Sequence, residues 1–224
     1  MARKGGKNHV KSLNAPMFYM VRRKETKYIA KPSPGRHTVE SSIPLRSFVK
    51  MAGLAGTNAE VDRMMNAESL KVNGKRVSDD KYPVGINDTV WAEGIGKYYR
   101  ITVDTKGHIS YEEVGKDDAS ARFCKVVNKY VGSGGRMMVT LNDGTTMEAP
   151  EGVKVKDSLL MGSGKPKVYK FEEGSKCFVM DGVHVGVSGT IKSINMKDKS
   201  IKSVTVKSGE AEFETLAKNV MVLG

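Results

Sequence analysis

Ten cations, Arg3, Lys4, Lys7, Lys11, Arg22, Arg23, Lys24, Lys27, Lys31 and Arg36, stand in the first 41 residues against only two carboxylates, Glu25 and Glu40. Arginine grips phosphate oxygens with a planar fork and lysine acts as a mobile point charge, so the chemistry on offer is polyanion binding. This segment carries +8 of the net +12, while residues 42–105 and 106–224 add +1 and +3. A membrane surface would require a continuous apolar face opposite the charges. The apolar residues form instead one knot, Met17-Phe18-Tyr19-Met20-Val21, with Pro32, Pro34 and Gly35 soon after. Basic and aromatic residues interleaved in an extended segment suit phosphate contacts and stacking on unpaired bases. A disordered solubilising tail is the plain alternative. A transit peptide is disfavoured because Gly5, Gly6, Pro16, Pro32 and Pro34 break the helix it needs.

Other chemistries fail on spacing. Gly162-Ser163-Gly164-Lys165 imitates a phosphate loop, but Leu159 stands where the first glycine belongs and Pro166 replaces the magnesium-binding hydroxyl. A turn is expected there. Gly182, Gly186 and Gly189 miss the dinucleotide spacing. His9, His37, His108 and His184 are scattered, and Cys124 and Cys177 form no Cys-x-x-Cys pair, so no metal site or disulfide is expected. The two cysteines are read as small buried apolar residues. The pairs Asp79-Asp80, Glu112-Glu113 and Asp117-Asp118 sit in polar loops with no reason for a raised pKa. No catalytic residue, cofactor or small-molecule substrate is expected, and no apolar run approaches the ~20 residues of a membrane span. A cytosolic protein is expected.

These residues must be positioned by small modules, since 224 residues at 39% hydrophobic and 28% charged suffice for two or three modest cores. The segment 1–41 is too polar and too broken by glycine and proline to fold alone, and is expected to form a basic extended arm that contributes no core. Next, residues 42–104 form an α+β unit. Ile43-Pro44 opens a first helix bearing Leu45, Phe48, Val49 and Ala52, Gly53 and Gly56 end it, and Thr57-x-x-Glu60 caps a second helix. Asn73-Gly74 between Leu70-Lys71-Val72 and Lys75-Arg76-Val77 is a hairpin turn and, with its flanking cations, a candidate RNA finger. Thr89–Ala92 and Tyr99–Val103 read as strands. From residue 105 onward, Val-rich strands alternate with turns every eight to twelve residues, as in small barrels or sandwiches. A boundary near Phe171 separates a central β domain, 105–171, from a C-terminal domain, 172–224, whose short strands suit an SH3-like barrel. The fold class expected is mainly β with a small α+β module.

Two stretches resemble known modules. Ile43 to Val90, with Pro44-Leu45, Leu70 to Val77, Tyr82-Pro83 and Asp88, resembles the small RNA-binding fold first named after a bacterial small-subunit ribosomal protein. Lys176 to Ile194, with Gly182-x-x-x-Gly186-x-x-Gly189-Thr190-Ile191, resembles the KOW motif. Taken in order, with Arg3 to Lys11, Ala15-Pro16 and Arg36-His37, the chain resembles the archaeal and eukaryotic e-type S-four family of the small ribosomal subunit. That resemblance implies a non-catalytic rRNA-binding constituent, located on cytoplasmic ribosomes, with rRNA and neighbouring ribosomal proteins as partners. The implied contacts are Arg3, Lys4, Lys7, His9, Lys11, Arg22, Arg23, Lys24, Arg36 and His37 in the arm; Arg46, Lys50, Lys71, Lys75 and Arg76 in the helix-hairpin module; and Lys176, Gly186 and Lys192 in the KOW region. The second helix begins with Thr57-Asn58-Ala59-Glu60 where the generic module has a Ser-Arg pair, and Glu60 and Asp62 repel phosphate. This moves the expected contact to Arg46, Lys50 and the hairpin tip. Gly182 and Gly186 suit turns of positive φ, or a close approach to RNA. A transiently bound KOW-type factor and an RNA-modifying enzyme are the alternatives, the latter disfavoured because the 105–171 stretch is short for a catalytic domain.

Overall fold

The computed structural model describes residues 9–21, 24–67, 69–162, 164–197, 200–209 and 211–223. The fold is mainly β, in several sheets. Its contacts gather into two compact units, one comprising the described residues through Thr102 with His108–Ala119, the other Val103–Gly107 with the described residues from Ser120. From the N-terminal side the chain runs β1 (His9–Lys11), β2 (Tyr28–Ala30), β3 (Ser42–Pro44), α1 (Leu45–Met51), α2 (Asn58–Asn66), β4 (Leu70–Val72), β5 (Lys75–Arg76), β6 (Pro83–Gly85), β7 (Thr89–Ala92), β8 (Lys97–Val103), β9 (Ile109–Glu113) and the single turn α3 (Lys116–Ala119). The sheets here are β1-β2, β3-β6 and the five-stranded β5-β4-β7-β8-β9.

Helix α1 buries Leu45, Phe48 and Val49, the i, i+3, i+4 stripe of an amphipathic helix. Its start differs by a residue from the sequence expectation. Ile43 and Pro44 are still strand, paired with Val84 and Pro83, and Pro44 serves as N-cap. Gly53, at φ +69, lies just past its end. The capping box of α2 forms as expected: the Glu60 amide donates to Thr57 Oγ1 at 3.3 Å, and Glu60 Oε2 accepts from the amides of Gly56 at 2.7 Å and Thr57 at 3.3 Å. Those bonds, led by Gly56, hold the Glu60 carboxyl below its usual range. Asn73 and Gly74 take φ of 51 and 76, the two positive values of a type I′ turn.

The arm departs from expectation. Phe18 and Tyr19 are buried, and the Ile109 amide donates to the Phe18 carbonyl at 3.0 Å. β1 pairs with β2, and the Ser12 amide donates to Lys27 O at 3.1 Å. This stretch therefore does contribute core, and the two rings at the centre of the apolar knot face inward instead of offering themselves to bases. Met17 and Met20 remain exposed. Two large rings outweigh the local polarity because a partner surface, unseen in the local sequence, is there to receive them.

A buried carboxylate ties this unit together. Asp88 is 2% exposed. Its Oδ2 meets His37 Nε2 at 2.8 Å and accepts the Gly85 amide at 3.0 Å, while Oδ1 accepts Asn73 Nδ2 at 2.7 Å. Asn73 Oδ1 in turn accepts the Thr89 amide at 3.0 Å. Burial alone would raise the Asp88 pKa; the bond and charge of His37, the Gly85 amide and Asn73 outweigh it and hold the carboxyl below its ordinary value. Gly85 makes room for the imidazole, since a Cβ there would lie 2.5 Å from His37 Nδ1.

The second unit continues with β10 (Arg122–Val131), β11 (Met137–Leu141), β12 (Thr146–Glu148), β13 (Ser158–Met161), β14 (Lys167–Tyr169), β15 (Lys176–Val179), β16 (Ser188–Lys197), β17 (Ser200–Ser208), β18 (Ala211–Leu216) and β19 (Val220–Val222). Two five-stranded sheets result, β12-β11-β10-β13-β14 and β18-β17-β16-β15-β19. Each has its own apolar cluster, the first with Cys124, Val126, Val139 and Leu159, the second with Cys177, Val179, Ile191 and Val206. Both cysteines are free and buried, and burial pushes the Cys177 thiol up to about 11. Gly162, Gly164 and Lys165 lie in the connection between β13 and β14, without the helix a phosphate loop must open.

Polar joints link the two sheets. The Val222 amide donates to Ser158 Oγ at 3.0 Å and the Phe171 amide to Asp157 Oδ1 at 2.9 Å. Lys125, buried on β10, sends Nζ to the carbonyls of Ala217, Lys218 and Val220 at 2.6, 2.9 and 2.6 Å. Burial and the neighbouring Lys156 ammonium lower its pKa to about 7. The three carbonyls pull the other way, because an ammonium has three N–H donors and an amine two.

Two stability predictions come from these joints. Asp88 is depressed in the fold, so the stability it contributes is present above the unfolded carboxyl value of about 4 and is lost as pH falls through its folded value. Asp88→Asn should cost about 2 kcal/mol or more at pH 7. Urea unfolding should show that deficit shrinking below about pH 4. Lys125 acts in the same direction at higher pH: its folded pKa lies below the unfolded value of about 10.4, so the unfolded chain binds more protons between them. Wild-type stability should therefore gain a rising component from about pH 7 toward pH 10. Urea midpoints of Lys125→Met should lack that component, and an undiminished rise in the variant would refute the assignment.

Candidate nucleic-acid interface

The hairpin β4-β5 places Lys71, Lys75 and Arg76 around one turn. Register pairs Lys71 with Arg76 and Val72 with Lys75, and both β5 residues are exposed. The turn is held from below by Asn73, whose side chain is engaged by Asp88 and Thr89. A flexible two-residue turn is thereby fixed to the core.

Not every expected cation is presented in the same way. Arg46 bonds Asp62 at 2.5 Å through Nη2 and lies 2.8 Å from Asp80 through Nε. The acidic residues of α2 and of the loop after β5 thus take up the guanidinium at the start of α1. Lys71 Nζ lies 2.5 Å from Glu93. In the second unit Lys192 Nζ lies 2.6 Å from Glu212, and that bond holds the Glu212 carboxyl below its usual range. Lys50, on the exposed side of α1, donates to Asn58 Oδ1 at 3.0 Å. Lys11, Lys24, Lys75 and Lys176 are exposed.

Within the arm, His9 packs edge-on against Tyr28 at 4.6 Å, and Lys27 sits 5.6 Å from the centre of the Tyr28 ring. Arg36 is half-buried. The His37 side chain, only 6% exposed, faces Asp88 and positions the module from inside. Arg3, Lys4, Lys7, Arg22 and Arg23 lie outside the described residues.

Gly186 has φ +79, and Gly182 φ +100. A Cβ on Gly186 would lie 2.7 Å from the Asp104 carbonyl carbon and 2.8 Å from Thr105 N. The close approach at this glycine is thus made by the chain's own backbone. Gly189 is equally confined, since its Cβ would meet Lys207 O at 2.5 Å. Among the described residues no group of three or more His, Cys, Asp or Glu side chains could hold a metal ion. No helix among them is long and apolar enough to cross a membrane.

Local reading did not find the clamp of His37, Asn73 and Asp88. His37 and Asp88 are 51 positions apart, and only the polar residues flanking the turn hint at it.

Comparison with known proteins agrees along the whole chain. Residues 95–168 match the Ribosomal family S4e and residues 4–40 match the RS4NT domain. The small ribosomal subunit protein eS4 of Archaeoglobus fulgidus is 37% identical, over 96% of this chain and 93% of its own. Its counterpart from Methanocella arvoryzae is 33% identical, over 97% and 94%. That of Ixodes scapularis is 32% identical, over 100% and 87%. The crystal structure of the 30S ribosomal protein S4e from Thermoplasma acidophilum superposes with a TM-score of 0.70 at 26% identity, covering 82% of this chain and 95% of that one. With a cation-rich first segment, a pinned basic hairpin and end-to-end identity to these relatives, the chain belongs to the eS4 family of small ribosomal subunit proteins.

Proposed function

We propose that the chain binds rRNA of the small ribosomal subunit as a structural constituent, beside neighbouring ribosomal proteins, and does no chemistry on it. The observation that carries this is the concentration of +8 in the first 41 residues, directly ahead of a module that holds a basic hairpin by its turn. In functional terms the segments are an arm (1–41), a helix-hairpin module (42–104), a central β segment (105–171) and a KOW-type C-terminal segment (172–224). Side chains cannot enter the deep, narrow major groove of A-form RNA, so phosphates, shape and unpaired bases are the targets. Arg3, Lys4, Lys7, Lys11, Arg22, Arg23 and Lys24 supply the arm's phosphate contacts. Lys50, Lys75, Arg76 and Lys176 offer exposed cations on folded strands and helix. Arg46, Lys71 and Lys192 act as exchangeable partners, each trading a carboxylate for a phosphate. His37 and Gly186 serve by placement. A lysine already held by a carboxylate loses that bond on meeting RNA, so its net contribution is smaller.

Sedimentation of cell extract should place the chain in small-subunit fractions at near-stoichiometric level, retained through a moderate salt wash. Absence from those fractions would sink the proposal, and loss in the wash would favour a transient factor. Deleting the arm would expose the core that Phe18 and Tyr19 cover, so its electrostatics are better tested by substitution. Changing Arg3, Lys4, Lys7, Arg22, Arg23 and Lys24 to glutamine should flatten the salt dependence of rRNA affinity by about 0.7 to 0.9 logarithmic units for every phosphate that is no longer neutralised. Near-ultraviolet spectra should stay the same.

A further inference from the structure

The register of the five-stranded sheet sets four side chains of related chemistry in one line. Arg76 on β5 opposes Lys71 on β4, Lys71 opposes Trp91 on β7, and Trp91 opposes Tyr98 on β8. Directly opposed residues leave an antiparallel sheet from the same face, so two cations and two aromatic rings form a single row. The adjacent row, Val72, Val90 and Tyr99, is buried and faces the core. On the outer face, α3 covers the next row along: Thr89 Oγ1 donates to Ala119 O at 2.9 Å and Arg100 Nη2 to Asp118 O at 2.6 Å. The row of Arg76, Lys71, Trp91 and Tyr98 is left partly open, with Arg76 exposed and the other three half-buried.

Two details direct this row toward a ligand. Trp91 and Tyr98 meet edge to face, with centroids 5.6 Å apart, a rigid aromatic shelf. The turn glycine Gly74 lies against the indole, where a Cβ would come within 3.3 Å of Cη2, so the cationic hairpin and the shelf form one continuous surface. From Arg76 to Trp91 is two strand spacings, about 10 Å. One or two nucleotides span that distance from base to phosphate. A paired duplex hides its base faces, whereas an unpaired base offers one.

We propose that this row is a binding site for unpaired ribonucleotides, with a base stacked on the Trp91–Tyr98 shelf and its phosphate held by Arg76 and by Lys71 once it leaves Glu93. The site rests on the rRNA-binding reading and narrows its target to single-stranded nucleotides. Charge favours this occupant: Lys71, Lys75 and Arg76 flank the shelf, and Lys71 of the row is paired with Glu93.

Trp91 is the sole tryptophan of the chain, so its emission reports on this site alone. The full chain should be titrated with a short unstructured oligoribonucleotide and, at the same salt, with a duplex of equal length. The single strand should change Trp91 emission saturably and the duplex should not. Arg76→Gln, on an exposed residue, and Tyr98→Ser should each weaken single-strand binding by about tenfold. Arg76→Gln should also reduce the salt slope by about 0.7. Glu93→Gln should tighten binding by freeing Lys71. Unchanged Trp91 emission at saturation, failure to bind the single strand, or wild-type affinity in Arg76→Gln would each overturn the site. A chain that still co-sediments with small subunits under any of those outcomes would leave the ribosomal reading standing.

Discussion

Burying the carboxylate of Asp88 obliges the first unit to bring it donors, and much of the module's arrangement follows from that demand. A carboxylate removed from water without partners is too costly to keep ionised. Its donors come from three places far apart in the chain: His37 at the end of the arm, Asn73 in the hairpin turn and the Gly85 amide at the end of β6. One side chain therefore fixes where the arm rejoins the body, how the basic turn is held, and how closely β6 passes the imidazole. Gly85 is part of the same demand, because any side chain there would occupy the place of the His37 ring.

The second unit solves a related problem with the opposite charge. Lys125 has three carbonyl acceptors around its ammonium, those of Ala217, Lys218 and Val220. Dipoles compensate a buried cation less completely than a carboxylate does, which is why its pKa falls while that of Asp88 stays low. The acceptors belong to a 3-10 turn and the strand after it. Gly186 and Gly189 act in the same unit by another route, letting backbone pass against backbone where a Cβ would collide.

The legible features were those written in a few consecutive residues. Thr57-x-x-Glu60 closes a capping box, Asn73-Gly74 makes a type I′ turn, and β7 lies where Thr89–Ala92 reads as a strand. Features set by distant partners were not legible. Phe18 and Tyr19 sit among basic residues and read as exposed, yet both are buried, with the Phe18 carbonyl bonded to the Ile109 amide. His37 reads as an RNA contact until Asp88 is brought to it, and Arg46 reads as available until α2 sets Asp62 against it. Composition counts charges. Only the fold assigns partners to them.

That distinction bears on how a basic protein selects its site on RNA. Net charge of +12 attracts any polyanion at long range, and screening limits this to about 8 Å at physiological salt. Closer in, a cation held by a carboxylate must exchange that partner for a phosphate. A lysine paired with a surface carboxylate loses a bond as it gains one, so pairs such as Lys71–Glu93 and Lys192–Glu212 discourage loose, non-specific contact. Exchange becomes favourable where a second interaction arrives with the phosphate, such as a base on a ring or a bend of RNA matching the hairpin. Preformed ion pairs on a basic face thus work as a filter: they lower affinity for phosphate in general and leave intact the affinity for phosphate presented in the right place.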